Sequence, residues 1–200
     1  AADVIVVGRF AGSTSLAAVG STTELLSLLT TLFIGFSIGA NVNVARTLGN
    51  HDDQGTKDGI YTAISVSILS GSAMILLGFL FGRPMLQWMG TPADVIDKAS
   101  LYLMIIFIGM PSNMAYNFGS AILRAMGDTK RPLYFLSVAG MLNVVLNLIF
   151  VIVLHMDVAG VALATILSET LSAVLILNCL CRTDGPCHLN IRKLYIQKDQ

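Results

Sequence analysis

The chain has 200 residues and no net formal charge at pH 7; 54% of its residues are hydrophobic and only 12% are charged. Soluble domains carry about 25% charged residues, so this composition excludes an ordinary soluble protein and indicates an integral membrane protein. No block of lysine or arginine is present, which argues against a nucleic acid partner.

Membrane spans are the first elements to place, and each needs about 20 mostly apolar residues. Residues 1–8 resemble the end of a span whose beginning is missing, so we expect the chain to be a fragment of something longer. Five full spans follow it, the second to the sixth. They are predicted at residues 20–46, 59–82, 99–122, 133–154 and 159–181.

The predicted spans divide the chain into two parts. Residues 1–182 are expected to form one transmembrane helical bundle. Residues 183–200 are polar, basic and interrupted by Gly185-Pro186, which is typical of a connector rather than a span. We expect this connector to lie on the cytoplasmic membrane surface or to lead into a missing second half of the polypeptide.

The distribution of basic residues predicts the orientation, because Lys and Arg near span ends stay in the cytoplasm. One side of the predicted bundle holds nine of them and the other holds three. The helix ends near residues 46, 122 and 181, and the tail, are therefore predicted to be cytoplasmic. The nine are Arg46, Lys57, Arg124, Lys130, Arg131, Arg182, Arg192, Lys193 and Lys198; the three are Arg9, Arg83 and Lys98.

Two of the predicted cytoplasmic helix ends are similar, "VARTLGN" (44–50) and "ILRAMGD" (122–128). In both, an arginine in the last turn suits the negative end of the helix dipole. The glycine three residues later, Gly49 or Gly127, is predicted to be the left-handed residue that ends the helix.

Polar residues at membrane depth are candidate functional groups. At about 1.5 Å of rise per residue, Asp3, Asn147 and Thr165 are expected about 9–10 Å inside the outer surface, and Asn143 and Glu169 about 15 Å inside. The pairs 143/147 and 165/169 are each four residues apart, so each lies on one helix face. These five residues would suit a proton or a small cation such as Na⁺.

A structural role competes with this interpretation. Asn and Thr often form interhelical hydrogen bonds in bundles, worth about 1 kcal/mol each, and for the three neutral residues the two roles are equally well supported. For Asp3 and Glu169 a functional role is favoured, because burying a charge costs more. Pro111, beside Ser112, Asn113 and Asn117, is a candidate hinge of the fourth span, with a static packing bend as the alternative.

Other features point to ordinary packing or to no chemistry. Gly35 and Gly39 form a small-residue face that predicts close helix packing. The histidines do not cluster and the cysteines lack metal or disulfide spacing, so no metal site is expected beyond Na⁺ at the site above. No phosphate loop and no nucleophile–base pair is present, so neither an enzyme nor a cofactor is expected.

Four segments, taken together, carry a family resemblance. They are "ADVIVVGRFAGSTSLAAVGS" (2–21), "ILRAMGDTKRPL" (122–133), "MLNVVLNLIF" (141–150) and "VAGVALATILSETLSAV" (158–174). In this order they resemble the amino-terminal half of a multidrug and toxin extrusion (MATE) transporter, and the resemblance covers essentially the whole chain. The similarity is greatest to the bacterial branch that includes the DNA-damage-inducible protein F.

The resemblance implies an all-α polytopic membrane protein of the bacterial inner membrane. In the full transporter, two six-helix lobes would export organic, often cationic compounds in exchange for H⁺ or Na⁺. The partners would be a small organic substrate, the lipid bilayer and the carboxy-terminal lobe. Two alternatives are a lipid-linked oligosaccharide flippase of the same superfamily and a truncated scaffold without transport.

The resemblance also implies a cation or proton site in this lobe. The branch has an aspartate on the first helix, an Asn-x-x-x-Asp pair on the fifth and a threonine on the sixth. Asp3, Asn143 and Thr165 match these positions, whereas Asn147 stands where the branch has the second aspartate. Either Glu169 restores the missing carboxylate, or this lobe is not the main coupling site.

Overall fold

A computed structural model describes residues 7–9, 12–183 and 188 of the chain. All regular structure in these residues is helical. Five helices are long and apolar enough to cross a membrane, which confirms the five full spans. The helices are α1 (7–9), α2 (Ser13–Gly49), α3 (Asp53–Trp88), α4 (Ile96–Ala125), α5 (Lys130–Leu148), which continues as a π-helical segment (Ile149–Val153), and α6 (Asp157–Cys181).

The helices extend beyond the predicted spans, most clearly in α2 and α3. With 37 and 36 residues, these helices are about 55 Å long, against about 30 Å for the hydrocarbon core. The span criterion counts only the apolar part of a helix. Polar residues at the ends stay helical where caps satisfy the backbone: the Asp52 carboxylate accepts a hydrogen bond from Gly55 N–H at 2.9 Å.

Helix α4 is the centre of the bundle. Seventeen of its thirty residues are buried, and it packs against α2, α3 and α6. Helix α5 lies at the edge and joins the bundle mainly through α6. Only Pro132, Ala139 and Asn147 of α5 are buried, so Asn147 is the one polar side chain that this helix buries.

Buried apolar side chains form two clusters, one toward each end of the bundle. On α4, Phe107 belongs to one cluster and Phe118 to the other. On α6, Val158, Val161 and Ala162 belong to the first cluster, and Ile176 and Leu180 belong to the second. The segments of α4 and α6 that lie between the two clusters are rich in hydroxyl and amide side chains. The fold therefore places a layer of polar side chains, which we call the polar belt, between two apolar clusters.

Close helix contacts use glycines other than the predicted pair. A Cβ built on Gly35 or Gly39 meets no atom within 4 Å in the described chain, so the packing prediction for these two glycines is wrong there. Gly71 of α3 instead lies directly against the backbone of Pro111 in α4. The helix α4 runs continuously through Pro111; its role as a hinge stays a prediction.

Two of the helix ends share one hydrogen-bond pattern. Gly127, with φ +84°, donates to Arg124 O at 3.0 Å, as the left-handed cap prediction requires. At the end of α2 the left-handed residue is His51, with φ +55°, rather than Gly49, which is still helical. The prediction for Gly49 is wrong because the helix continues to Gly49 and the chain turns two residues later.

Lys98 ties three helices together at the end of the bundle opposite Arg46. Its ammonium donates to Ser15 Oγ of α2 at 2.9 Å and to Asp157 Oδ2 of α6 at 2.6 Å. The Lys98 and Asp157 side chains are 41% and 34% exposed, respectively. The first turns of α2, α4 and α6 are therefore held by one cation.

Lys98→Met should lower the free energy of unfolding by about 1 kcal/mol, because a partly exposed ion pair is lost and Asp157 keeps its desolvation cost. The control is Arg83→Met, which breaks the Arg83–Asp97 pair at the same end; those side chains are 55% and 77% exposed, and little change is expected. Thermal unfolding of the purified protein measures both variants. Equal losses in the two would contradict a special role for Lys98.

Candidate functional site

A chain of hydrogen bonds joins α5 to α6 in the polar belt. The Asn147 amide N–H donates to Asn143 Oδ1 at 3.0 Å, and the Asn143 amide donates to Thr165 Oγ1 at 3.4 Å. The Thr165 hydroxyl donates to Val161 O at 3.0 Å. Asn147 is fully buried, while Asn143 and Thr165 are partly exposed. Three of the predicted site residues therefore form one connected cluster, which we call the α5–α6 cluster.

Helical periodicity explains this cluster. Asn143 and Asn147 are one turn apart and share the face of α5 that packs on α6. Because α5 buries so little else, its contact with α6 depends on these amides as well as on apolar packing. The π-helical segment begins two residues after Asn147; π-helical turns are frequent at functional sites.

Glu169 belongs to a second cluster, on the α4 side of α6. Its Oε1 accepts a hydrogen bond from the Asn113 amide at 2.9 Å. The Asn117 amide in turn donates to Asn113 Oδ1 and to Asn113 O, both at 2.9 Å. Beside them, the hydroxyls of Ser112 and Thr170 lie 3.2 Å apart. The central helix α4 thus supplies a hydrogen-bond donor to this carboxylate.

The hydrogen-bond partners of Thr165 and Glu169 lie one helical turn away from those predicted from depth in the membrane. Thr165 was expected level with Asn147, but it accepts from Asn143. Helix α6 begins at Asp157, two residues before the predicted span, which moves Thr165 about 3 Å deeper. The spacing of four residues between Asn113 and Asn117 places two amides on one face of α4, and this signal could have predicted the second cluster.

A groove opens between α2, α4 and α6 beside Glu169, with a volume of about 450 Å³. We call it the α2–α4–α6 groove. Its walls combine hydroxyl, amide and carboxylate groups with aliphatic side chains. The residues that line it are Val19, Thr23, Leu26, Ser27, Thr30, Thr31, Ile34, Tyr102, Asn113 and Glu169.

The two clusters offer different chemistry. The α5–α6 cluster consists of amides and a hydroxyl, which are oxygen ligands for a cation such as Na⁺ but do not titrate near neutral pH. A proton needs a carboxylate, and Glu169 supplies one in the next turn of α6. Asp3, the other predicted carboxylate, lies outside the described residues, so the structure does not place it.

The fold and these polar groups define a multi-pass membrane protein with an intramembrane polar site. The family model MatE matches residues 1–149. The chain therefore belongs to the MATE family.

Three curated relatives show how far the similarity extends. The chain is 32% identical over 169 residues to "Probable multidrug resistance protein YpnP" and 30% over 178 residues to "Probable multidrug resistance protein YoeA", both from Bacillus subtilis. It is 23% identical over 171 residues to the "FAD transporter" of Shewanella oneidensis. These alignments cover 84%, 87% and 84% of the chain, but 38% of each relative.

Solved MATE structures have the same fold. One in the bent conformation superposes with a TM-score of 0.91 at 26% identity. An inward-facing and an outward-facing multidrug resistance MATE transporter give 0.89 and 0.88 at 25% and 27% identity. Each covers 98% of this chain, and the chain spans 44% of each solved chain. The bundle is thus the helical lobe that resemblance to the family predicted.

Proposed function

We propose that the chain forms the amino-terminal lobe of a secondary antiporter that exports organic compounds in exchange for H⁺ or Na⁺. The observation that carries this proposal is the α5–α6 cluster, with the Glu169 carboxylate one turn away, in the middle of a membrane-spanning bundle. Polar groups are costly at this depth and mark ion or substrate pathways in transporters. The two relatives named multidrug resistance proteins support drug efflux as the direction of transport.

The mechanism follows from differential binding. A cation or proton would bind at Asp3 together with Asn143, Asn147 and Thr165, with Glu169 as a second carboxylate. Binding shifts the balance between conformations only to the extent that the ion prefers one of them. Similar proteins have been solved in inward-facing and outward-facing forms. These two forms support a mechanism of alternating access between two such states.

We further propose that the protein resides in the bacterial inner membrane with its basic end in the cytoplasm. Arg46, Lys57, Arg124 and Lys130 lie at one end of the described bundle, whereas Arg83 and Lys98 lie at the other. The positive-inside rule assigns the first group and the tail, residues 183–200, to the cytoplasm. A flippase for a pyrophosphate-linked lipid is disfavoured, because no Lys or Arg is among the described residues that line the groove.

The test uses the full-length polypeptide that contains this chain, reconstituted in vesicles and driven by a proton or Na⁺ gradient. The Asp3→Asn/Glu169→Gln variant should lose gradient-driven efflux of a dye such as ethidium, because both carboxylates of the proposed site become neutral. The matched control, Glu24→Gln/Asp94→Asn, also removes two charges, but from exposed positions, and should transport normally. Intact coupling in the first variant would refute the proposal.

A further inference from the structure

A second groove lies between α2 and α3, at the end of the bundle that holds Arg46. Its volume is about 680 Å³, and we call it the α2–α3 groove. Small residues keep it open: a Cβ built on Gly39 meets no atom within 4 Å. None of the described residues that line it also lines the α2–α4–α6 groove. The lining residues are Phe36, Gly39, Ala40, Val42, Asn43, Arg46, Gly59, Thr62, Ala63, Val66 and Phe118.

The two ends of the α2–α3 groove differ in polarity. Arg46 lies in the last turn of α2, and Asn43 and Thr62 line the groove beside it. Phe36 precedes Arg46 by ten residues, which corresponds to about 15 Å along the helix. Between them and beyond, the walls carry apolar side chains such as Val66 of α3. The groove therefore runs from a cationic end to an apolar end.

The length of the groove matches one leaflet of a bilayer. The hydrocarbon core is about 30 Å thick, so each leaflet supplies about 15 Å. Arg46 and Gly59 are the ends of the apolar segments predicted from the sequence at residues 20–46 and 59–82, which places Arg46 at the level of the lipid headgroups. Phe36 and Val42 are 60% and 59% exposed, so the apolar end is open to an acyl chain.

The charge of the groove favours an anion. Arg46 is the only ionisable side chain among the described residues that line it. The three ion pairs formed by the described residues involve other cations, namely Arg83, Lys98 and Arg131. A guanidinium presents a planar fork of N–H donors that matches a phosphate group. The groove is thus complementary to a phosphate at one end of an apolar chain.

We propose that the α2–α3 groove binds one anionic phospholipid of the bilayer, with its phosphate on Arg46 and an acyl chain running toward Phe36. Basic pockets between membrane helices bind lipid headgroups in this way. Free phosphate would occupy only the Arg46 end and leave the apolar end empty. The inference goes beyond the proposed function, because the lipid is neither the transported compound nor the coupling ion.

The packing of the bundle gives this lipid a structural role. Helices α2 and α3 both pack on α4 more than on each other. A lipid in the groove adds contacts between α2 and α3 that the protein itself does not make. Anything that binds the folded state alone stabilises it, so the lipid should also raise the resistance of the protein to unfolding.

The experiment measures lipid binding to the full-length protein in detergent by native mass spectrometry. The probes are dioleoylphosphatidylglycerol, which is anionic, and dioleoylphosphatidylcholine, a zwitterion with the same acyl chains. Arg46→Gln should weaken binding of one molecule of the anionic lipid about fivefold, because one basic residue at the membrane surface is lost. Binding of the zwitterion should change little.

The matched control is Arg124→Gln. Arg124 also lies in the last turn of its helix, at the same end of the bundle, but it does not line the groove. Its loss removes the same charge from the protein, so a general attraction of anionic lipid to a basic surface would weaken equally in both variants. A site at Arg46 predicts that Arg124→Gln binds both lipids as the wild type does.

A second variant tests the apolar end without changing the charge. Gly39→Leu places a side chain in the groove where a Cβ meets no described atom within 4 Å. Thermal unfolding in lipid-free detergent should therefore match the wild type. Binding of both lipids at this site should weaken, because the added side chain occupies the path of the acyl chain.

Three outcomes would overturn the inference. The first is Arg46→Gln binding the anionic lipid as tightly as the wild type, or no more weakly than Arg124→Gln does. The second is displacement of the anionic lipid by a large excess of inorganic phosphate, which indicates a site for a free anion. The third is unchanged binding of both lipids by a folded Gly39→Leu protein, which indicates that no acyl chain enters the groove.

Discussion

Asn147→Leu is expected to reduce ion-coupled efflux by at least about tenfold, equivalent to about 1.4 kcal/mol in the rate-limiting barrier. Leucine has the same number of side-chain heavy atoms as asparagine, branched at the same Cγ, so the helix contact survives at this fully buried position. The amide that donates to Asn143 Oδ1 is lost, however, and the α5–α6 cluster loses both a link and an oxygen ligand. Initial rates of gradient-driven dye transport by the full-length protein in vesicles measure the effect.

The control is Asn147→Asp, which is nearly isosteric and restores the acid found in the related branch. This variant should keep transport and make its rate more dependent on pH, because a titratable group enters the cluster. Thermal unfolding of both variants separates loss of function from loss of fold. Wild-type efflux by a folded Asn147→Leu protein would show that this amide only joins two helices.

Much of the architecture was predictable from the sequence because hydropathy and helix length are properties of single segments. The five spans needed no knowledge of tertiary contacts, since every backbone polar group in lipid must be satisfied within its own helix. The spacing of Asn143 and Asn147 likewise fixes their common face on α5. Depth placed Asn147 level with Thr165, and the family resemblance grouped Asn143 with Thr165; the structure joins Thr165 to Asn143 and, through Asn143, to Asn147.

The partner of Glu169 could not be predicted in the same way. Depth alone places residues at a level but does not say which helix stands beside which, and the central position of α4 emerges only from packing. Asn113 therefore became the partner of Glu169, although Asn143 was expected at that level. The glycine contacts failed for the same reason: Gly35 and Gly39 form a regular pattern, but α4 packs against Gly71 instead.

The contact between Gly71 and Pro111 predicts the largest effect on stability. Gly71→Ala should lower the free energy of unfolding by about 1–3 kcal/mol, because a Cβ at this position clashes with the Pro111 backbone, which cannot rotate away as a side chain can. The gain in helix propensity from glycine to alanine, at most about 1 kcal/mol, offsets only part of that cost. Thermal unfolding of the purified full-length protein measures the difference.

The matched control is Gly140→Ala on α5, where a Cβ meets no atom within 4 Å and the position is exposed. This variant should be unchanged or slightly more stable.

The pair of variants, Gly71→Ala and Gly140→Ala, also tests the candidate hinge at Pro111. If α4 bends away from α3 during transport, Gly71→Ala should favour the conformation in which the two helices are apart, and the accessibility of cysteines introduced beside Pro111 should change. If the bend at Pro111 is static, Gly71→Ala should lower the stability and leave that accessibility unchanged. Wild-type stability of Gly71→Ala would contradict the close packing of α3 on α4.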